Sequence, residues 1–549
     1  MKDYLRSLPV IWLSKIFWSV TAAALLLILV MLPRSPLPWW DEIFYASAAL
    51  AAARGGPPVP SVMGAFPHTM RIDLLYGPMM SFFGSLEIRL FGLSATSWRL
   101  LGFEGAVGTV FSAAWVSRRL DRSPLVAAAT AMLVALSQGM GARATSGRFD
   151  TVTITLELLT LACALGAMRG QESRRAASIY VALAGIFCGL AALSTPRSFP
   201  FLLGLFVAIG VEVALARKWE LAIRGLTIGA VALVTVWAWT FSQGMSPIGW
   251  LRVIAAASQG DKLNVSPLLH GTWHFFDEPL VPLFSGLLFL LMMVVVFGAT
   301  MFLTARHTFE MERHDVVSGV RLASITVLVN YVALFLLIAH FWDYEIFVVP
   351  LLIAVLAALT ARMLRDRGPR TVQWLVLGAW MVLAILLVTI RAGKVVAWLA
   401  SYQERDPQPL QAFISSNIPT NSRVFGPEDF YFYAVERTGS HYLFYRPRIP
   451  SGLLSKADHQ LDWEEQLKES QAVYLVWPKE DSLPGGLGLA NLHLVGSFAA
   501  QLGKEPIGWR KAGWGSGYPA TNLYRIVDTR RTEENPAKTD FQVPEAERR

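Results

Sequence analysis

Cysteine is almost missing from this chain: of 549 residues only Cys163 and Cys188 are cysteine, and both fall inside apolar runs. That pattern excludes a disulfide framework and a thiolate metal site. Charge is scarce as well, at 16% Asp, Glu, Lys and Arg against 54% hydrophobic residues, with a mean hydropathy of +0.44. A composition this poor in charge excludes an ordinary soluble enzyme and describes a polytopic membrane protein. No internal repeat is visible, and Pro484-Gly485-Gly486 lacks the strand-to-helix context of a phosphate loop. The formal charge of +8 gathers in loops between apolar runs, with no basic stripe of interleaved aromatics, so nucleic acid is not expected as a partner.

What is present is a series of apolar runs bounded by polar or basic clusters. A helix needs about 20 apolar residues to cross roughly 30 Å of hydrocarbon. On that criterion the predicted spans are 11–31, 100–116, 124–140, 151–166, 178–193, 199–215, 226–241, 280–303, 322–339, 346–359 and 372–389, about eleven helices. The first run contains Lys15, lacks a small-residue cleavage site and precedes many further spans, so it reads as a retained anchor.

With the N-terminus in the cytoplasm, every second loop is basic: Arg118, Arg119 and Arg122; Arg169, Arg174 and Arg175; Arg217, Lys218 and Arg224; Arg306, Arg313 and Arg321; Arg362, Arg365, Arg367 and Arg370. The positive-inside rule agrees along the chain only if 74–92 does not cross, so that segment reads as an amphipathic helix on the outer surface.

Past Arg391 the composition turns polar, with Pro and Gly breaks and short β-rich runs at 422–425, 472–477, 492–495 and 523–527. The predicted organisation is therefore a transmembrane domain over 1–395, an outer α/β domain over 396–528 and a charged tail over 529–549 that lacks the apolar residues needed for a core.

Polar chemistry gathers at the outer ends of the spans. Asp41, Glu42, Arg71 and Asp73 lie in the first outer loop, Arg143, Arg148 and Asp150 in the second, and Arg197 in the third. Asp261, Lys262, His270, His274, Asp277 and Glu278 lie in the fourth, and His340, Asp343, Tyr344 and Glu345 in the fifth. Carboxylates beside arginines in a partly dehydrated pocket suit a reaction in which a base takes a hydroxyl proton while cations hold a departing phosphate. Glu104 and Glu157 stand inside apolar runs, where a charge is costly enough to suggest either function or a buried partner.

The segments Trp39-Trp40-Asp41-Glu42-Ile43-Phe44-Tyr45-Ala46, Phe91-Gly92 and Trp98-Arg99-Leu100-Leu101 occur in that order. They resemble the GT-C glycosyltransferases that use lipid-linked sugars, in particular the protein O-mannosyltransferase and aminoarabinose transferase group. The segments 142–150 and Leu193-Ser194-Thr195-Pro196-Arg197 extend the resemblance, which covers roughly 39–206. Two features depart from the family: Phe66-Pro67-His68 and Tyr76-Gly77-Pro78 stand where it has His-Pro-Pro or Lys-Pro-Pro, and Thr195-Pro196-Arg197 replaces its usual lysine segment.

The resemblance implies a GT-C-like helical membrane domain with outer juxtamembrane helices and a soluble α/β domain. It implies an inverting transfer of sugar from a polyprenyl phosphate donor to a hydroxyl acceptor at the outer face of a bacterial inner membrane. Asp41 would be the base, with a helix N-cap as its other reading. Glu42 would orient the acceptor or tune Asp41, or pair with Arg54 or Arg71. Asp150 would orient Arg148 or the acceptor, or cap its helix.

Arg197 takes the phosphate on charge and position, and Arg71, Arg148, Lys262, His340 and Tyr344 complete the expected substrate-binding set. The apolar face Ile248, Leu251 and Ile254 would guide a lipid tail. Asp, Glu and His can hold Mg²⁺ or Mn²⁺, yet the outer loops hold no D-x-D pair, so no metal or other cofactor is expected. A transporter or flippase of lipid-linked sugars is the competing reading. It predicts a donor conserved across leaflets rather than consumed.

Overall fold

The computed structural model describes residues 2–34, 38, 40–63, 71–168, 173–258, 294–296, 298–300, 314–337, 345–365, 370–400, 402–438, 441–444, 467, 471–479, 492–501, 518 and 520–527. The predicted span 280–303 lies mostly outside them, and the tail 529–549 wholly so.

Helix α1 (Lys2–Met31) is followed by the shorter α2 (Trp40–Ala53), α3 (Ile72–Tyr76) and α4 (Pro78–Phe91). Then come α5 (Ala95–Leu120), α6 (Pro124–Leu136), α7 (Gln138–Thr145), α8 (Asp150–Met168), α9 (Arg174–Ala192), α10 (Phe199–Ala216), α11 (Trp219–Ser242) and α12 (Pro247–Ser258). The later helices are α13 (His314–Leu337), α14 (Val349–Arg365) and α15 (Arg370–Ala400), with α16 (Gln408–Asn417) and α17 (Tyr431–Thr438) beyond the bundle. Among the described residues six helices are long and apolar enough to cross a membrane, seven if α6 and α7 count as one bent span. The protein is a multi-pass membrane protein.

The segment 74–92 is divided at Gly77 into α3 and α4. At 14 residues and 1.5 Å per residue, α4 is about 21 Å long, short of the hydrocarbon thickness, and it packs on α2 and α5 instead. The run 124–140 is not one straight helix: it breaks at Ser137, whose side chain caps α7 through the Met140 amide, and the two halves meet at 59°. The run 346–359 forms α14, most of whose residues are fully buried against α5, α6 and α15, so a short apolar run here marks a central helix.

Sequence explains how α5 and α8 are locked together. Ser94 and Ser97 form a capping box, each hydroxyl accepting from the other residue's amide at 3.0 and 2.9 Å, which fixes the first turn of α5. Gly102, Gly105 and Gly108 then let α8 approach so closely that a methyl group on Gly105 would fall 2.5 Å from Thr151 Oγ1. Across that contact Thr151 Oγ1 donates to the Gly102 carbonyl at 2.8 Å and Thr155 Oγ1 to the Gly105 carbonyl at 2.8 Å. Small residues plus interhelical hydroxyl bonds are how helices adhere where lipid offers no hydrophobic gain.

The C-terminal region holds a five-stranded sheet in the order β2-β1-β3-β5-β4, with β1 (Arg423–Gly426), β2 (His441–Phe444), β3 (Tyr474–Pro478), β4 (Leu492–Phe498) and β5 (Thr521–Ile526). Strand β1 is parallel to β2 and β3, and β5 runs antiparallel to β3 and β4. Strand β2 was absent from the sequence expectation. One hydrophobic core fills the helix bundle, and a second joins α2, α3, α4 and the start of α5 to Leu410, Tyr431, Phe432, Tyr433 and Tyr518 of the sheet region.

Candidate functional site

The polar residues that meet at the sheet-bearing end of the bundle come from four places. Asp41 and Glu42 occupy the first turn of α2, where a helix N-terminus favours negative charge. Asp41 lies inside the helix, which begins at Trp40, so it is not the N-cap. Arg143 closes α7, Arg148 sits in the turn before α8, and Asp150 opens α8. Arg197 lies in a 3-10 turn at Pro196–Ser198 started by Thr195, whose hydroxyl accepts from the Arg197 amide at 3.4 Å.

Asp150 is the hub of this cluster. Its carboxylate lies 2.9 Å from Arg148 Nε, 3.5 Å from Arg197 Nη1 and 3.8 Å from Arg143 Nε. Arg148 reaches across to Asp41, Nη1 to Oδ2 at 3.3 Å, so one guanidinium bridges two carboxylates from different helices. Arg148 and Asp150 are buried, whereas the side chains of Arg197 and Asp41 keep 20% and 15% exposure, which places the accessible edge of the cluster at those two.

Glu42 is placed differently. It is fully buried and pairs with neither Arg54 nor Arg71 but with Arg99, which donates Nε at 2.6 Å and Nη2 at 2.9 Å. The remaining Arg99 nitrogen, Nη1, donates to the Leu32 carbonyl at 2.9 Å, so a single side chain ties α5 to α2 and to the end of α1. Gly147 makes room for this pair: at φ +65° it turns left-handed, and a Cβ there would meet the Trp98 ring at 2.5 Å and Glu42 Oε1 at 2.8 Å. Both the turn and the space demand glycine.

Other expected residues lie elsewhere. Arg71 donates to Asp73 at 3.1 and 2.6 Å and to Gln243 at 2.8 Å, binding α3 to the end of α11; the described contacts do not bring it to Asp150. Lys262, His340 and Tyr344 lie outside the described residues. Glu104 meets neither arginine nor hydroxyl in the described contacts but Glu87 of α4; burial and Glu104 together push the Glu87 carboxyl up to about 7. Glu157 is buried two turns below Asp150, and its Oε1 has no hydrogen-bond partner among the described residues. On α12, Ile248 and Leu251 are exposed while Trp250 turns inward and donates Nε1 to the Leu74 carbonyl at 2.8 Å, so the helix presents an apolar face and is anchored through its tryptophan.

No family model matches the sequence, and no curated protein matches it. Solved structures do. ArnT from Cupriavidus metallidurans in its apo state aligns with 92% of this chain and 97% of its own, with a TM-score of 0.52 and 13% sequence identity. The chain has the GT-C fold. ArnT bound to undecaprenyl phosphate aligns with 93% of this chain and 98% of its own, with a TM-score of 0.50 and 14% identity. The oligosaccharyltransferase of Archaeoglobus fulgidus in complex with Zn and sulfate aligns more loosely, over 84% of this chain and 68% of its own, at a TM-score of 0.48 and 14% identity.

Within the GT-C fold the structure adds residues that sequence reasoning passed over. Arg143 joins the arginines at Asp150. Tyr45 and Tyr76 meet edge to face at 5.4 Å, and the Arg197 guanidinium lies 5.8 Å from the Tyr76 ring centre. Burial, then Tyr76 and Asp41, push the Tyr45 phenol well above its ordinary range, so its hydroxyl keeps its proton beside the cluster. Tyr45 lies inside the quoted motif and Tyr76 inside the Tyr-Gly-Pro departure, so both stood in view without a signal to single them out.

Proposed function

We propose that the protein is a glycosyltransferase that moves a sugar from a polyprenyl phosphate to a hydroxyl acceptor at the membrane face carrying the C-terminal sheet. The observation that carries this reading is the convergence of Arg143, Arg148 and Arg197 on Asp150, with the partly exposed Asp41 linked to them through Arg148. Guanidinium groups match phosphate oxygens in geometry and charge. The shared fold with a protein whose structure holds undecaprenyl phosphate supports the donor class.

In the proposed step Asp41 accepts the proton of the acceptor hydroxyl as its oxygen bonds to the anomeric carbon. The bond from that carbon to the phosphate oxygen breaks, and its electron pair leaves on the polyprenyl phosphate. Arg197, at the accessible edge, stabilises the negative charge on the departing phosphate, and a one-step displacement inverts the anomeric centre. Arg148 holds Asp41 in place, and Asp150 holds Arg148 and Arg197. Lys262, His340 and Tyr344 keep their expected substrate-binding roles in this proposal. The exposed face of α12 would receive the prenyl chain.

Arginines oppose the carboxylates of this site, and the described residues contain no group of three or more His, Cys, Asp or Glu placed to hold a metal. The proposal keeps the sequence-based expectation of no metal, and activity lost to a chelator and restored by a divalent cation would overturn that part. In this proposal the membrane is a bacterial inner membrane, and the loop arginines at the opposite end support a periplasmic active end.

The deciding experiment supplies purified protein with a panel of polyprenyl-phosphate sugars and an acceptor extract and follows free polyprenyl phosphate. Release by the wild type that Asp41→Asn loses supports the transfer reading. Intact donor throughout, with the lipid moved between leaflets of a vesicle, would replace it with the flippase reading.

A further inference from the structure

Two tyrosines from the C-terminal region belong to the core that α2 and α5 build around the buried Arg99–Glu42 pair. Tyr433 on α17 and Tyr518, which precedes β5, are separated by 85 positions, yet their hydroxyl oxygens lie 2.5 Å apart and their rings meet edge to face at 5.8 Å. Both are buried, at 3% and 1% exposure, in the core that α2, α4 and α5 share with the sheet region. Both phenols lie within electrostatic reach of Arg99, and Tyr433 also of Glu42.

We propose that Tyr433 and Tyr518 are positioning residues through which the C-terminal domain holds the Arg99–Glu42 pair and thereby sets the first turn of α2 that presents Asp41. Glu42 is the immediate neighbour of Asp41, so a Glu42 carboxylate held fast restrains the backbone of the turn that carries Asp41. The Glu42 carboxylate is gripped bidentately by Arg99, and the third Arg99 nitrogen donates to the Leu32 carbonyl. A guanidinium closed in this way, away from water, gains from oxygen dipoles placed beside it.

Two phenols joined hydroxyl to hydroxyl supply such dipoles. Burial pushes Tyr433 up to about 12 and Tyr518 well above its ordinary range, so both stay neutral at working pH and the hydroxyl pair persists. Ring packing alone would be served equally by phenylalanine; the dipoles would not.

The catalytic part of this proposal rests on the transfer reading, whereas the structural part does not. The test compares full-length Tyr433→Phe, Tyr518→Phe and the double variant with Tyr524→Phe, a control that removes a hydroxyl bonded to Asn522 in the same domain. Hydrogen exchange over α2 in the folded protein should rise in the double variant and stay at the wild-type level in the control. Release of polyprenyl phosphate should show kcat reduced by up to about a hundredfold, the size a small misplacement of reacting groups costs, with KM for the donor unchanged.

Should the double variant fail to fold, the single variants, which each keep one hydroxyl and both rings, carry the same comparison. Unchanged exchange over α2 overturns the proposal, as does raised exchange with an undiminished kcat. A wild type that transfers no sugar but whose variants show raised exchange sinks the transfer reading and leaves the positioning of α2 established.

Discussion

Ion pairs fasten both ends of the helix bundle, and the sheet-bearing end adds to its closed pair, Arg99 with Glu42, a cluster of a different style. At the end away from the sheet, Glu212 of α10 is met by Nε and Nη2 of Arg321 of α13 and by the Ser318 hydroxyl at 2.7 Å, while Asp121 is met by Arg365 at 2.9 and 3.0 Å. Arg321, counted among the loop arginines by position, is in fact inside the bundle, 7% exposed. At the sheet-bearing end, three arginines crowd one aspartate and one of them is shared with a second. One-to-one pairs close on themselves and fasten helices; a many-to-one cluster with an accessible edge leaves room for a ligand's charge.

The comparison breaks most sharply at Asp41. Asp41→Asn should lower kcat by roughly 10²- to 10⁴-fold, the worth of a general base, without loss of folded protein. If turnover survives, the base lies elsewhere and the two ends do not differ as described. The reverse outcome is expected of Arg321→Ala, which strands the 2%-exposed Glu212 and should cost about 3–5 kcal/mol of stability, leaving kcat of the folded fraction intact. Thermal unfolding of the detergent-solubilised protein, read beside turnover, separates the two.

Arg197→Ala should weaken donor binding by about 1.5–3 kcal/mol, seen as a raised KM, and Arg197→Lys should recover part of it because a point charge remains while the bidentate fork is lost. Equal KM in all three would remove Arg197 from the phosphate.

The last effect is confined to pH and concerns a carboxyl without an arginine. Burial and the adjacent Glu428 push the Asp429 carboxyl from the ordinary 3.8 to about 8. The folded chain therefore keeps a proton that the unfolded chain has released, and the stability this carries is full below pH 3.8 and lost as pH rises through about 8. Asp429→Asn should match the wild type in acid and exceed it in melting temperature at alkaline pH. A parallel pH dependence of the two proteins would show that Asp429 is not held protonated.

Residues that stand at the ends of apolar runs were legible from the sequence, because a charge beside a span has few other reasons to be there. Asp41, Arg148, Asp150 and Arg197 belong to this group. Pairings across long separations were not. Arg99 could be quoted as part of a motif, but nothing in spacing tells that its partner is Glu42 and not that Glu42 seeks Arg54 or Arg71, since the choice is made by how α5 docks on α2.

The break at Ser137 was hidden because the glycine beside it, Gly139, is a residue common inside membrane helices and marks no break by itself; its cause is a serine cap. Strand β2 is four residues long and pairs with β1 only after a crossover, so no alternation could develop. Tyr433 and Tyr518 belong to a region whose polar composition announced a separate domain, and their burial against the membrane motif is a fact of tertiary packing.

Gly77 turns the corner between α3 and α4 at φ +83°, and a Cβ there would lie 2.0 Å from the Leu193 carbonyl oxygen. That carbonyl belongs to the stretch that leads through Thr195 into Arg197, while the residue before Gly77 is Tyr76, beneath the same arginine. Two loops from distant parts of the chain are thus set face to face at a point where only a hydrogen atom fits. An alteration of the Tyr-Gly-Pro corner would therefore shift the loop that carries Arg197 as well, so the two segments could not drift independently at this place in the fold.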